Sequence, residues 1–126
     1  MQNITKKFKF KNSGVILNAP VAIEKEFVQL GFKTGVDKKE KSTNTLVFIN
    51  NNKEYLTFLK QNLKNIEPDS VLWFAYPKGT SKIKTDINSD TIRETGEEFG
   101  ITTVTAIAID DTWSVLRFRP IDKVGK

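Results

Sequence analysis

Three times along this chain a short apolar run gives way to a polar turn and then to apolar residues at helical spacing. No other feature constrains the fold as strongly, because apolar period and turn chemistry together fix the element type. Val15–Leu17 precedes Asn18-Ala19-Pro20 and a segment with Ile23, Phe27 and Leu30 on one helical face. Pro20 near the first helical position, Asn18 as a candidate N-cap and Gly31 as a stop delimit that helix. Residues 32–36 read as a weaker strand. Leu46–Ile49 precedes Asn51 and Glu54, which have capping-box spacing, and a helix bearing Leu56, Leu59, Leu63 and Ile66. Glu67-Pro68-Asp69 should end it. The apolar run Val71–Tyr76 comes next, then a polar loop over 77–88. A third helix is expected from Asn88 or Ser89, burying Ile92 and Phe99 and stopping at Gly100.

Two further runs, Thr103–Ile109 and Trp113–Phe118, flank Asp110-Asp111-Thr112 and read as an antiparallel hairpin. The whole pattern predicts a compact, Rossmann-like α/β fold. Its sheet should be mostly parallel, with helices on both faces and the hairpin at the C-terminal end. Numbering strands from Val15, the expected order is 2-1-3-4-6-5, with the last antiparallel. At 126 residues this is one domain spanning 1–126. Residues 1–13 form a basic arm or edge strand, in which Ile4, Phe8 and Phe10 share a side opposite Lys7 and Lys9. Residues 121–126 form a tail.

The chain has no cysteine and no histidine. Disulfides, Cys/His zinc sites and His-based triads or dyads are therefore excluded. Any general acid or base would have to be Asp, Glu, Lys or Tyr. No dense carboxylate cluster suggests a metal, and no cofactor is expected. No apolar run approaches the roughly 20 residues of a membrane span. The lysine-bearing N-terminus lacks a following apolar stretch, so a cytoplasmic protein is expected. Charge is uneven: residues 1–63 carry 11 lysines against 5 acids, residues 64–126 carry 9 basic residues against 10 acids. Such an excess could attract nucleic acid, but solubility and protection of an edge strand explain it better.

In an open parallel sheet, ligands bind beyond the carboxyl ends of the strands. Those ends are Asn18-Ala19-Pro20, Asn50-Asn51-Asn52 and Pro77-Lys78-Gly79-Thr80-Ser81. A crevice there would gather Asn18, Asn50, Lys78, Gly79, Thr80, Ser81, Lys82 and Lys84. Gly79 permits close backbone approach, the hydroxyls donate hydrogen bonds, and helix-terminal N–H groups near Asn18 and Asn51 add partial positive charge. The set suits an anion or a nucleotide-like ligand. The Gly-x-x-x-x-Gly-Lys frame of a phosphate loop is absent. Trp113 and Arg117 lie on one side of the last strand and could hold a planar ligand. Equally, Trp113 could cover a helix while Arg117 and Arg119 pair with the Glu94, Glu97 and Glu98 face of the third helix. Asp86 and Asp90 are expected to pair with Lys84 and to charge the start of that helix, respectively, rather than to catalyse.

The segments VLWFAYPKGTSKIKTDIN and AIDDTWSVLRFRP, with the earlier Asn-Ala-Pro, resemble an uncharacterised bacterial family of small domains of unknown function. The resemblance covers most of residues 14–120 and implies the fold but no activity. The element order also resembles a shortened class I methyltransferase fold, through Pro68-Asp69, the strand at 71–76 and the final hairpin. That likeness implies the fold without the methyl donor. Val15-Ile16-Leu17-Asn18-Ala19-Pro20 stands where a Gly-rich turn belongs, and Asp37 is the nearest acid for ribose hydroxyls. The expectation is thus a non-catalytic, small-ligand binding or regulatory domain for an anion or nucleotide. The alternatives are an enzyme on a small phosphorylated or nucleotide substrate, and a partner-binding module using the basic arm.

Overall fold

A computed structural model describes residues 14–35, 42–78, 85–109 and 112–123. The elements are β1 (Val15–Leu17), α1 (Val21–Gln29), β2 (Ser42–Phe48), α2 (Asn52–Asn62), β3 (Ile66–Pro77), α3 (Ser89–Glu98), β4 (Ile101–Ala108) and β5 (Trp113–Pro120). The sheet runs β1-β2-β3-β5-β4. Strands β1, β2 and β3 are parallel, whereas β5 is antiparallel to both β3 and β4.

The expectation of a Rossmann-like, mostly parallel sheet is therefore corrected: the sheet is mixed, and antiparallel pairing predominates. Two causes combine. The parallel side is short, since β1 has three residues and, of the strand expected over 32–36, the described residues 32–35 make one bridge, Val15 to Lys33. The hairpin side is long, with eight residues in each arm, and β5 inserts beside β3. Hairpin arms are necessarily antiparallel, so these two ladders outweigh the short parallel side.

Helices do cover both faces. On one side α1 buries Ile23 and Phe27 against Ile16, Leu46, Phe48, Trp73 and Val115. On the other, α2 and α3 bury Tyr55, Phe58, Leu59 and Ile92 against Val47, Phe74, Leu116 and Phe118. Period-two alternation along β2, β3 and β5 divides the apolar side chains between these two layers. Phe74 is the hub of the second layer, with edge-on contacts to Tyr55, Phe58 and Phe118 at ring separations of 5.0, 5.3 and 5.2 Å. Trp73 is fully buried in the first layer, as its place in a central strand suggests.

Boundaries moved where tertiary pairing overrode local signals. Helix α2 ends at Asn62 and passes through a 3-10 turn, so Ile66 opens β3 instead of closing a helix. Glu67-Pro68-Asp69 then lies inside the strand, at an irregularity between the Ser42–Ile66 and Asn44–Val71 pairs. Pro is tolerated in a strand at such a break, where no ladder donor is required. Helix α1 is preceded by Pro20 as its N-cap, with no side-chain cap bond, so Asn18 is not the cap.

Candidate functional site

The carboxyl ends of β1, β2 and β3 meet at one edge, with the start of β5 beside them. Asn18 leaves β1 with φ 58°, a left-handed conformation that Asn tolerates better than most side chains. This turn aims its amide across the edge. Its Nδ2 donates to the Phe48 carbonyl at 3.0 Å and to Glu54 Oε1 at 2.8 Å. The same Glu54 oxygen accepts from the Asn50 backbone N–H at 3.0 Å and from Asn50 Nδ2 at 3.1 Å. Asn18 and Asn50 are thus brought together on one carboxylate oxygen. Sequence spacing marks Glu54 only as the capping-box partner of Asn51. Its 36-residue contact with Asn18 carries no local signal.

Asn51 is the N-cap of α2, its Oδ1 accepting from Glu54 N at 2.9 Å. The next donor, Asn52 N, is taken by Asp86 Oδ1 at 2.8 Å. Thr85 Oγ1 donates to the Asn50 carbonyl at 2.6 Å. The segment entering α3 is thereby tied to the start of α2. The described partner of Asp86 is this backbone amide, and Lys84 lies outside the described residues. Positive charge at the start of α2 is already offset by the chain's own carboxylate, so the end of this helix is not vacant for a free anion.

The other expected site residues are spread more widely. Lys78 follows β3, its backbone N–H donating to the Thr112 carbonyl at 2.8 Å. Trp113 is buried, and its ring meets Phe48 edge-on at 5.0 Å. Arg117 lies four residues farther along β5, opposite Trp73 in β3 and Thr105 in β4, about 13 Å from the edge by strand rise. It shares a face with Val115, the α1 side, and so lies across the sheet from α3 and its glutamates. Its Nε is shielded from solvent and makes no hydrogen bond. Gly79, Thr80, Ser81, Lys82 and Lys84 lie outside the described residues.

Beside the Asn18–Glu54 link, a groove of about 580 Å³ runs between β1, β2 and α2. Its floor is Leu17, Val47 and Phe58, and its wall includes Lys53, Thr57 and Asn62. Sequence analysis does not single out these wall residues, because their spacing on α2 reads as an ordinary solvated face. The volume lies within the usual 300–1,000 Å³ or so of small-molecule sites. A second cleft at the opposite edge, lined by Leu63, Ile66, Phe99 and Phe118, measures about 220 Å³ and falls below that range. Among the described residues no cluster of carboxylates could hold a metal ion, and no helix is long and apolar enough to cross a membrane. Comparison with protein-family models, curated proteins and solved structures finds no match.

Proposed function

We propose that this domain binds a small anionic, nucleotide-like molecule in the groove between β1, β2 and α2, as a binding or regulatory unit without turnover. The observation that carries the reading is the groove itself: an apolar floor beside a wall bearing a cation, an amide and a hydroxyl at the carboxyl edge of parallel strands. A planar apolar body suits Leu17, Val47 and Phe58, and Lys53 offers charge to a phosphate or carboxylate. A ligand with both parts fits better than a bare anion, since Asp86 already takes the Asn52 amide at the start of α2. Binding is favoured over chemistry because Glu54, the carboxylate that lines the groove, is held in a structural role: its Oε1 accepts from three donors that fix the wall in place.

The test is thermal denaturation with a panel of nucleoside phosphates and phosphorylated metabolites. At about 100 times Kd a ligand stabilises by roughly 2.7 kcal/mol, a rise in melting temperature of several degrees. Lys53→Ala should remove most of that rise, and Lys78→Ala serves as a comparison at the neighbouring strand. A panel without any shift overturns the proposal.

A further inference from the structure

The polar groups that line the groove between β1, β2 and α2 differ along its length. At the carboxyl edge they are committed to one another: Asn18 Nδ2 donates to Glu54 Oε1 at 2.8 Å, and Asn51 Oδ1 accepts from Glu54 N at 2.9 Å. At the other end of α2 the groove is lined by Asn62, which is half-buried. Asn62 falls three and four residues after the buried Leu59 and Phe58, so an amide continues the apolar, sheet-facing stripe of the helix. It also precedes the 3-10 turn Leu63–Asn65 as its N-cap, yet its side chain makes no cap bond. A polar group on an apolar stripe that serves no capping role breaks the local pattern, as functional positions do. Lys53 stands at the opposite end of the wall and is exposed. The nine residues between the two amount to about 13.5 Å along the helix axis and roughly half a turn around it. The amide therefore lies low beside the floor, and the ammonium group lies high at the solvent rim.

We propose that the groove selects an adenine nucleotide with a single phosphate, a choice that rests on the reading of the groove as the ligand site. The base enters beside Asn62 and the phosphate reaches Lys53. A carboxamide presents a donor next to an acceptor, which complements the exocyclic amine and adjacent ring nitrogen of adenine. Guanine is read by Arg or Lys, and among the described residues lining the groove Lys53 is the one cation, at the far end. Leu17, Val47 and Phe58 give the ring an apolar floor, and the Thr57 hydroxyl stands on the wall between the two ends. Charge at the phosphate end sets the length of the phosphate chain. Lys53 adjoins Glu54, and the Asp86 carboxylate is held on the Asn52 amide beside it. Lys53 can meet one phosphate, while the two carboxylates repel a second and a third.

The experiment is titration calorimetry of the full chain with the monophosphates of adenosine, guanosine, cytidine and uridine, and with adenosine triphosphate. Adenosine monophosphate should bind tightest, by about tenfold over the other bases. Asn62→Ala should cost the adenine compound about that factor and leave the other monophosphates nearly unchanged, so that the preference disappears. Lys53→Ala should weaken all four monophosphates alike. The ranking of ligands by the native chain needs no variant, so the assignment stays testable even where Asn62→Ala fails to fold. Equal affinity for the four bases, tighter binding of the triphosphate, or an Asn62→Ala loss shared by all four overturns the adenine assignment. The groove itself survives those results as long as Lys53→Ala weakens binding. No binding of any of these nucleotides also overturns the assignment, and the groove is then decided by the wider panel of phosphorylated metabolites.

Discussion

Asn18 combines an unfavourable backbone with favourable side-chain bonds, and the two can be separated. For most residues the left-handed region costs about 1–2 kcal/mol, less for Asn and nothing for Gly. Asn18→Gly removes the Nδ2 bonds to Phe48 and Glu54 but keeps the backbone unstrained. Asn18→Ala removes the same bonds and adds the strain. In urea unfolding both should be destabilised, the alanine variant by about 1 kcal/mol more than the glycine variant. Equal losses would mean that the φ of 58° carries no cost. The sequence marks Asn18 as a turn residue, but its bonding partners lie 30 and 36 positions away and follow only from the parallel pairing of β1 with β2.

At the scale of elements, α3 shows how closely a helix can approach the sheet. Asn88 and Thr91 form a reciprocal capping box, with Asn88 Oδ1 accepting from Asp90 N and Thr91 N, and Thr91 Oγ1 accepting from Asn88 N. Gly96, in the last turn of the helix and buried, faces inward. A Cβ there would lie 2.7 Å from Phe118 Cε2, 2.9 Å from the Tyr55 hydroxyl and 3.3 Å from the Ile101 carbonyl. Glycine inside a helix costs up to about 1 kcal/mol against alanine, so propensity alone would favour Gly96→Ala. Overpacking against ring, hydroxyl and carbonyl opposes it by about 1–3 kcal/mol. The net prediction is a destabilised variant, read as a lower urea midpoint. A raised midpoint would mean that α3 can lift off the sheet at little cost. The start and stop of this helix were legible from Asn88 and Gly100. The need for glycine at position 96 was not, because it depends on Phe118 and Tyr55 from other elements.

Across the whole molecule, Tyr55 ties α2 to α3 beneath the second layer. Its hydroxyl donates to the Ile92 carbonyl at 2.7 Å, and burial pushes its ionisation well above the ordinary value of 10.0. An unfolded chain releases this proton near pH 10 while the folded one retains it. The contribution of Tyr55 is therefore fully present below about pH 10 and is lost progressively as pH rises through the range above it. Tyr55→Phe should lower stability by about 1 kcal/mol at pH 8, and the gap from the native chain should narrow by pH 11. Denaturant titrations at the two values measure it, and a constant gap would refute the linkage.

By itself the sequence determined the alternation of elements, the closing hairpin, the burial of Trp73 and the edge at which β1, β2 and β3 end. These follow from periodicity and from turn and cap residues, which act over a few positions. The across-sheet order of the described strands also follows, because short right-handed connections leave few alternatives. Only the tertiary structure decided that the sheet is mixed, since the relative lengths of β1, β4 and β5 depend on which backbone groups find partners. Only it joined Asn18 to Glu54 and opened the groove beside Lys53. Each of those features rests on residues far apart in the chain, and no local propensity encodes how distant groups meet.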